Sequence, residues 1–402
     1  METKRPACGS NEMHDVSDVG SASILALPFD SSKIRMYRFF RPLLFRMDPE
    51  RAHSISLGAA ELVQRFVPSV VEPQYEFEDE RLKQRLWGTT FPNPVGLAAG
   101  ADKNARLVSF WEGVGFGFVE VGSVSAMASD GNPKPRAFRL EEDRALLNRL
   151  GLNNEGAAAV AERLESGRSE RTRPLGVNLA KTHDPGVMGE AALEDFRESF
   201  RLLAPQAEYV VLNVSCPNTT EGRTFEHPEA LDDLLATIFA EQKGPGGEVP
   251  VLIKLSPPVS DRVIFDTRLE DIVAVAQAHD VHGFIASNTA SDRKGIEATS
   301  QERLEAIGEG GLSGEPLAGR ATCLVRYLYQ ATDGEVPIIG VGGVHDAASA
   351  YEKIRAGASL VQLYTALVYE GPGLIKRIKE GLVKHLKEDG YVSIADAVGV
   401  DA

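Results

Sequence analysis

Eight short apolar runs recur along the chain, and most are followed by a stretch whose apolar positions repeat with helical spacing. The runs are PVGLAAG from Pro94, FVEVGSV from Phe118, PLGVNLA from Pro174, YVVLNVS from Tyr209, VPVLIKLS from Val249, GFIASN from Gly283, VPIIGVGG from Val336 and SLVQLYT from Ser359. They are rich in β-branched residues, do not alternate with polar ones, and are bounded by glycine or proline. Such runs predict strands covered on both faces, as in a parallel sheet. Glu155 to Leu164, Ala192 to Leu203, Leu231 to Ala240, Leu269 to Ala278, Ala321 to Gln330 and Ala347 to Arg355 predict amphipathic helices between them. Eight strands alternating with helices predict an α/β fold, a closed (β/α)8 TIM barrel. A doubly wound sheet is the alternative if two of the runs are not strands. No GxGxxG opens a helix after the first strand, which disfavours a Rossmann site. Gly113, Gly115 and Gly117 precede a strand and read as a turn.

Two connections are long, 125–153 after the second strand and 288–314 after the sixth. Both leave strand C-terminal ends, the face on which barrel enzymes build active sites. The segment ahead of the barrel differs in kind. Residues 33–47, KIRMYRFFRPLLFRM, hold five basic side chains and no acid among aromatic and aliphatic ones. Asp48-Pro49 breaks this pattern, a second amphipathic helix is expected from Glu50 to Phe66, and Pro42 is expected to kink or restart the first. A basic, aromatic-rich pair of this kind suits the surface of an anionic membrane or a cap on the barrel, and the segment alone favours neither. The expected organisation is a disordered tail over 1–32, a helical pair over 33–70, the barrel over 71–390 and a C-terminal tail over 391–402.

Composition narrows the function. The 402 residues suit one large barrel with an appendage, and the formal net charge of −15 makes a nucleic-acid partner a poor expectation. Cys8, Cys216 and Cys323 form no CxxC pair, so no metal centre is expected, and their odd count suits a reducing compartment. No run approaches the roughly 18 apolar residues of a membrane-spanning helix. Glu2, Glu12, Asp15, Asp18 and Asp30 argue against a mitochondrial transit peptide.

The candidate chemistry sits at strand ends. There stand Ala99-Gly-Ala-Asp-Lys103, Asn178, Asn213-Val-Ser-Cys216-Pro-Asn218, Lys254 and Ser287-Asn288-Thr289, with Asn148 to Asn153 in the loop after the second strand. Amides offer donor and acceptor to a small planar polar ring, and one lysine can pair with a carboxylate on it. A second lysine suits negative charge building up on a reduced flavin. Gly340-Val-Gly-Gly343 and Gln362-Leu-Tyr-Thr365 follow the last two strands, where barrels cradle phosphate. A phosphorylated ligand is expected, and FMN fits.

In order along the chain stand DPERAH from Asp48, NPVGLAAGADKN from Asn93, GNPKPRAFRL from Gly131, NRLGLNN from Asn148 and NVSCPNT from Asn213. ASNT from Ala286, GGLSGEPL from Gly310, IIGVGG and SLVQLYTAL follow. From about Met36 to Lys379 this set resembles dihydroorotate dehydrogenases. The DPERAH helices look like class 2, the quinone-linked, membrane-associated type. The resemblance implies FMN on Ala99, Gly100, Ala101, Asp102, Lys103, Ser123, Asn178, Asn213, Lys254, Ser287, Gly314, Gly343, Tyr364 and Thr365. It implies dihydroorotate or orotate on Lys103, Asn148, Arg149, Leu150, Gly151, Leu152, Asn213, Asn218, Asn288 and Thr289. A quinone would enter between the N-terminal helices, near His53, Arg139 and Tyr364. Association with the membrane would be peripheral, at the cytoplasmic face in a bacterium, with a monomer favoured. The base position falls on Cys216, where class 2 members usually carry serine and the soluble class 1 members cysteine. A thiol near pKa 8.5 is a far better base than a hydroxyl, and the cysteine leaves a class 1-like oxidant open.

Overall fold

The computed structural model describes residues 35–66, 72–215, 224–242, 248–259 and 267–402. The expected tail over 1–32, Cys216 and Asn218 lie outside them.

Helices α1 (Arg35–Phe45), α2 (Pro49–Phe66) and the single turn α3 (Glu72–Tyr75) come first, followed by the strands β1 (Gln84–Leu86) and β2 (Thr89–Phe91) of a hairpin. Next come β3 (Val95–Leu97), α4 (Val108–Gly113), β4 (Phe118–Val124), β5 (Ala137–Leu140), β6 (Ala145–Asn148), α5 (Ala157–Ser166) and β7 (Leu175–Leu179). The chain continues with α6 (Glu190–Leu203), β8 (Tyr209–Asn213), α7 (Pro228–Gln242), β9 (Val251–Leu255), α8 (Thr267–Ala278) and β10 (Gly283–Ala286). It ends with α9 (Gln301–Ile307), β11 (Gly311–Gly314), α10 (Ala318–Ala331), β12 (Ile338–Val341), α11 (Ala347–Arg355), β13 (Leu360–Leu363), α12 (Thr365–Glu370) and α13 (Gly373–Asp389).

The strands β3, β4, β7, β8, β9, β10, β12 and β13 pair in parallel and close into a barrel, so all eight apolar runs are barrel strands. A strand turns successive side chains to opposite faces. Val119, Val121, Leu175, Val177, Val210 and Leu212 therefore face the helices and join the main apolar core. Phe118, Tyr209, Val211, Leu252, Ile285, Ile339 and Leu360 face the axis, and with Phe91 they fill the N-terminal half of the barrel. The β1–β2 hairpin closes that end, with the Trp87 indole donating to the His282 carbonyl at 2.8 Å. Among the described residues the barrel is thus plugged below, and its C-terminal end is the one that opens into a cavity.

The two long connections are structured. Strands β5 and β6 from the first and β11 from the second form a separate antiparallel sheet in the order β11-β6-β5. It covers one side of the mouth and packs on Leu304, Ile307 and Leu317. Helix α1 runs on through Pro42. Residues 391–402, expected as a tail, pack on the barrel. Ile394 and Ala397 are buried, and Arg355 pairs with Asp401 at 2.6 Å.

Gly176 lies where a Cβ would run into the buried Tyr209 ring. Overpacking of this kind costs about 1–3 kcal/mol. Gly176→Ala is therefore expected to lower the thermal unfolding midpoint by several degrees; an unchanged midpoint in calorimetry would show that this aromatic layer yields freely.

Candidate active site

A cavity of about 610 Å³ opens at the C-terminal end of the barrel and continues between α1, α2 and the β5–β6 arm. That size is ordinary for a small-molecule or cofactor site. Strand ends supply its floor, because each parallel strand delivers its last inward residue to the same rim. Ala99, Gly100, Ala101, Lys103, Ser123, Asn213, Lys254, Ser287, Asn288 and Thr289 all line it. So do Asn148, Leu150, Gly151 and Leu152 from the arm, and Gly314, Gly343, Tyr364 and Thr365 from the later loops.

The polar groups are tied together. Asn288 Nδ2 donates to Asn213 Oδ1 at 3.1 Å and to Ser215 Oγ at 2.8 Å. Asn213 Nδ2 donates to Ser123 Oγ at 3.0 Å, and the Ser123 hydroxyl donates to Asn178 Oδ1. Asn178 is fully buried and lies one layer beneath the cavity. Its Nδ2 donates to Glu120 Oε1 at 2.9 Å, and Gln362 Nε2 donates to Glu120 Oε2 at 2.6 Å. Glu120 was not among the residues expected from sequence. The signal lies in FVEVGSV, where the one charge shares the inward register of Phe118 and Gly122.

Two lysines face the cavity. Burial draws the Lys254 ammonium below its ordinary pKa, and the Glu120 carboxylate opposes that shift. Burial, aided by the Arg136 charge, draws Lys103 down to about 8, and its Nζ donates to Asn153 Oδ1. On the far side, Gly343 has φ of 76° and a Cβ there would strike the backbone of Ala318, so only glycine lets the loop lie so close to α10.

The N-terminal helices are held to this mouth by charge. Arg136 is buried, and its Nη2 meets Glu50 Oε1 of α2 at 2.7 Å. Arg139 donates to the carbonyls of Leu44, Phe45 and Met47, capping the C-terminal end of α1, and also lines the cavity. His53 and Tyr364 bring their rings to 6.2 Å across the cavity. Burial pushes the Tyr364 hydroxyl up to about 12. Burial first, and the Lys103 charge second, bring His53 down to about 4, so its imidazole is neutral near pH 7.

Of the expected residues that are described, three do not line the cavity. Asp102 accepts from the backbone N–H groups of Arg106 and Leu107 at 2.9 and 2.7 Å, fixing the turn after β3. Arg149 donates to the carbonyls of Ile307 and Glu309 and stacks on Phe138, bracing the arm. Asn178 lies beneath the cavity and accepts from the Ser123 hydroxyl.

The dihydroorotate dehydrogenase family model matches residues 81–386, which span the barrel and its arm. The chain belongs to the dihydroorotate dehydrogenase family. It is 42% identical over 367 residues to the Natronomonas pharaonis protein named dihydroorotate dehydrogenase (quinone), covering 91% of this chain and 99% of that one. It is 44% identical over 359 residues to the protein of that name from Synechococcus sp. (strain JA-3-3Ab), covering 87% and 93%. The crystal structure of the Eimeria tenella DHODH in complex with ferulenol superposes with a TM-score of 0.77 at 35% identity, covering 88% of this chain and 96% of that one. In this member of the dihydroorotate dehydrogenase family, α1 and α2 thus form one wall of a cavity that the barrel mouth begins.

The neutral His53 carries a pH signature. Between pH 6.5 and about 4 the unfolded chain binds a proton there that the folded one refuses, so this contribution is full above pH 6.5 and is lost as the pH falls toward 4. His53→Gln is expected to shrink the loss of stability between pH 7 and pH 5; identical losses in urea titrations of the two proteins would contradict a desolvated, neutral imidazole.

Proposed function

We propose that the chain oxidises (S)-dihydroorotate to orotate, with FMN seated in the barrel mouth and a membrane quinone as final electron acceptor, in de novo pyrimidine (UMP) biosynthesis. The observation that carries this is the single cavity joining the strand-end amides to the N-terminal helices in a member of this family.

FMN fits the residues present. Gln362 Oε1 is buried with no hydrogen-bond partner and belongs to a cavity-lining side chain, so an acceptor waits for a donor there. Backbone at Gly314, Gly343, Tyr364 and Thr365 would take the phosphate. Ala99, Gly100, Ser123, Asn213, Lys254 and Ser287 would hold the ring system, with Lys254 close to the charge of its reduced form. When bound, the flavin supplies the hydride acceptor for C6 of dihydroorotate and hands the two electrons to quinone.

The remaining work belongs to the chain. Asn148, Asn213, Asn288 and Thr289 would grip the pyrimidine, helped by Asn218 and the Leu150–Leu152 turn. Lys103 would pair with its carboxylate. Cys216 would take the C5 proton, a role supported by its place in NVSCPNT. The neutral His53, Arg139 and Tyr364 would surround the quinone ring. Phe39, Phe40, Leu43, Ile55, Leu62 and Phe66 are exposed on α1 and α2, with Phe39 at 79%, which supports peripheral docking on a membrane. No helix among the described residues is long and apolar enough to cross one.

Anaerobic mixing with dihydroorotate is expected to bleach the flavin absorbance, and quinone to restore it faster than fumarate or NAD. A yellow protein that dihydroorotate never bleaches would refute the activity, and faster turnover with fumarate or NAD would refute the quinone assignment. Cys216→Ala is expected to lose flavin reduction by substrate while remaining yellow; an unimpaired reductive half-reaction rejects Cys216 as base. Removal of residues 1–67 is expected to slow reoxidation by quinone far more than reduction by substrate; equal losses would count against a separate quinone path.

A further inference from the structure

The amides that face the pyrimidine in the reading above are not free to choose which end they present. A carboxylate can only accept, whereas an asparagine can turn either its oxygen or its nitrogen to a neighbour. Glu120 sits at the barrel axis with no exposure, and every group that bonds it is a donor. These are Asn178 Nδ2 at 2.9 Å, Gln362 Nε2 at 2.6 Å and the Tyr209 hydroxyl at 3.4 Å. The direction then propagates. Asn178 must turn its oxygen outward, so the Ser123 hydroxyl must donate to it. Having given its proton inward, Ser123 can only accept from Asn213 Nδ2. The Asn213 oxygen is thereby left to receive Asn288 Nδ2, and the Asn288 oxygen to receive the Thr289 N–H at 2.8 Å. On the other branch, Gln362 spends its nitrogen on Glu120 and aims its oxygen away, with no partner.

We propose that Glu120 is a positioning residue that fixes the hydrogen-bond polarity of the active-site amides, and through them the orientation in which the pyrimidine ring can bind. This rests on the dihydroorotate reading of the site. Glu120 and Asn178 lie beneath the cavity rather than on its wall, so they act through Ser123 and Asn213 and touch no substrate themselves. A neutral glutamine at 120 could donate as well as accept. Asn178 could then invert, and the chain above it would hold two directions of similar energy, only one of which complements the ring.

The test is a titration of the flavin-loaded protein with orotate, followed by the perturbation of flavin absorbance. Glu120→Gln is expected to weaken orotate on the order of 10-fold, the loss typical when buried polar groups are mispaired, with flavin content unchanged. Loss of the negative charge alone would tighten an anionic ligand, so the sign separates polarity from charge. Glu120→Gln combined with Asn178→Asp moves the acceptor-only group one step along the chain and still obliges Ser123 to donate toward it. This double variant is expected to regain most of the lost affinity. Unchanged or tighter orotate binding in Glu120→Gln overturns the proposal, as does a double variant no better than the single one. Wild-type protein that does not bind orotate would instead sink the functional reading. Neutron diffraction on the deuterated wild-type protein decides the direction without ligand or variant. Deuterium on Ser123 Oγ pointing at Asn178 supports the proposal; deuterium pointing at Asn213 overturns it.

Discussion

Parallel pairing around a closed ring is the constraint from which the rest of this molecule follows. All eight barrel strands point the same way, so the inward residues near their C-terminal ends crowd into one disc. Chemistry changes along that axis in layers. Aromatic and aliphatic side chains fill the lower interior, Glu120 and Asn178 occupy the next level with Gln362 reaching from it to the cavity wall, and the cavity with its two lysines lies above. Burying Glu120 is tolerable because its donors satisfy it and a lysine stands near enough to feel its charge. The apolar plug below keeps that polar layer away from water on one side.

The second half of the site is not made by the barrel at all. Helices α1 and α2 carry few buried residues and stand over the mouth on polar tethers, chiefly Glu50 to Arg136 and the α1 carbonyls to Arg139. The same arginine-bearing segment leads into β5, whose sheet also carries Asn148. One loop therefore anchors the helices and presents a candidate substrate amide. The arrangement leaves the inner faces of the helices lining a cavity and part of their outer faces apolar and exposed. Such a wall is suited to receiving a hydrophobic electron acceptor from a lipid surface.

Much of this was legible in the chain, and the reasons are specific. The barrel strands announced themselves because strands buried on both faces are apolar throughout, and Gly or Pro marked their ends. The rim residues were legible because strand ends in such a barrel converge. A motif does not say which of its side chains serve the backbone: Asp102 and Arg149 stand inside matched motifs, and their side chains bond a turn and loop carbonyls rather than line the cavity. The β5–β6–β11 sheet was missed because its strands are short and two sit in one long loop while the third comes from another, a pairing no local pattern reveals. Glu120 drew no notice because it is a lone acid inside an apolar run that reads as a buried strand. Pairing a strand's register with the rarity of buried charge identifies it. Residues 391–402, expected only as a C-terminal tail, pack on the barrel, held in part by the Arg355–Asp401 pair across a long sequence separation.

The flavin's seat decides whether this chemistry can occur here. A crystal structure of the protein grown with FMN and orotate tests it most directly. The phosphate is expected on the backbone at Gly343, Tyr364 and Thr365, the ring system over Ser123 and Lys254, and orotate held by Asn148, Asn213 and Asn288. A flavin bound outside the barrel mouth, or orotate away from those amides, would contradict it.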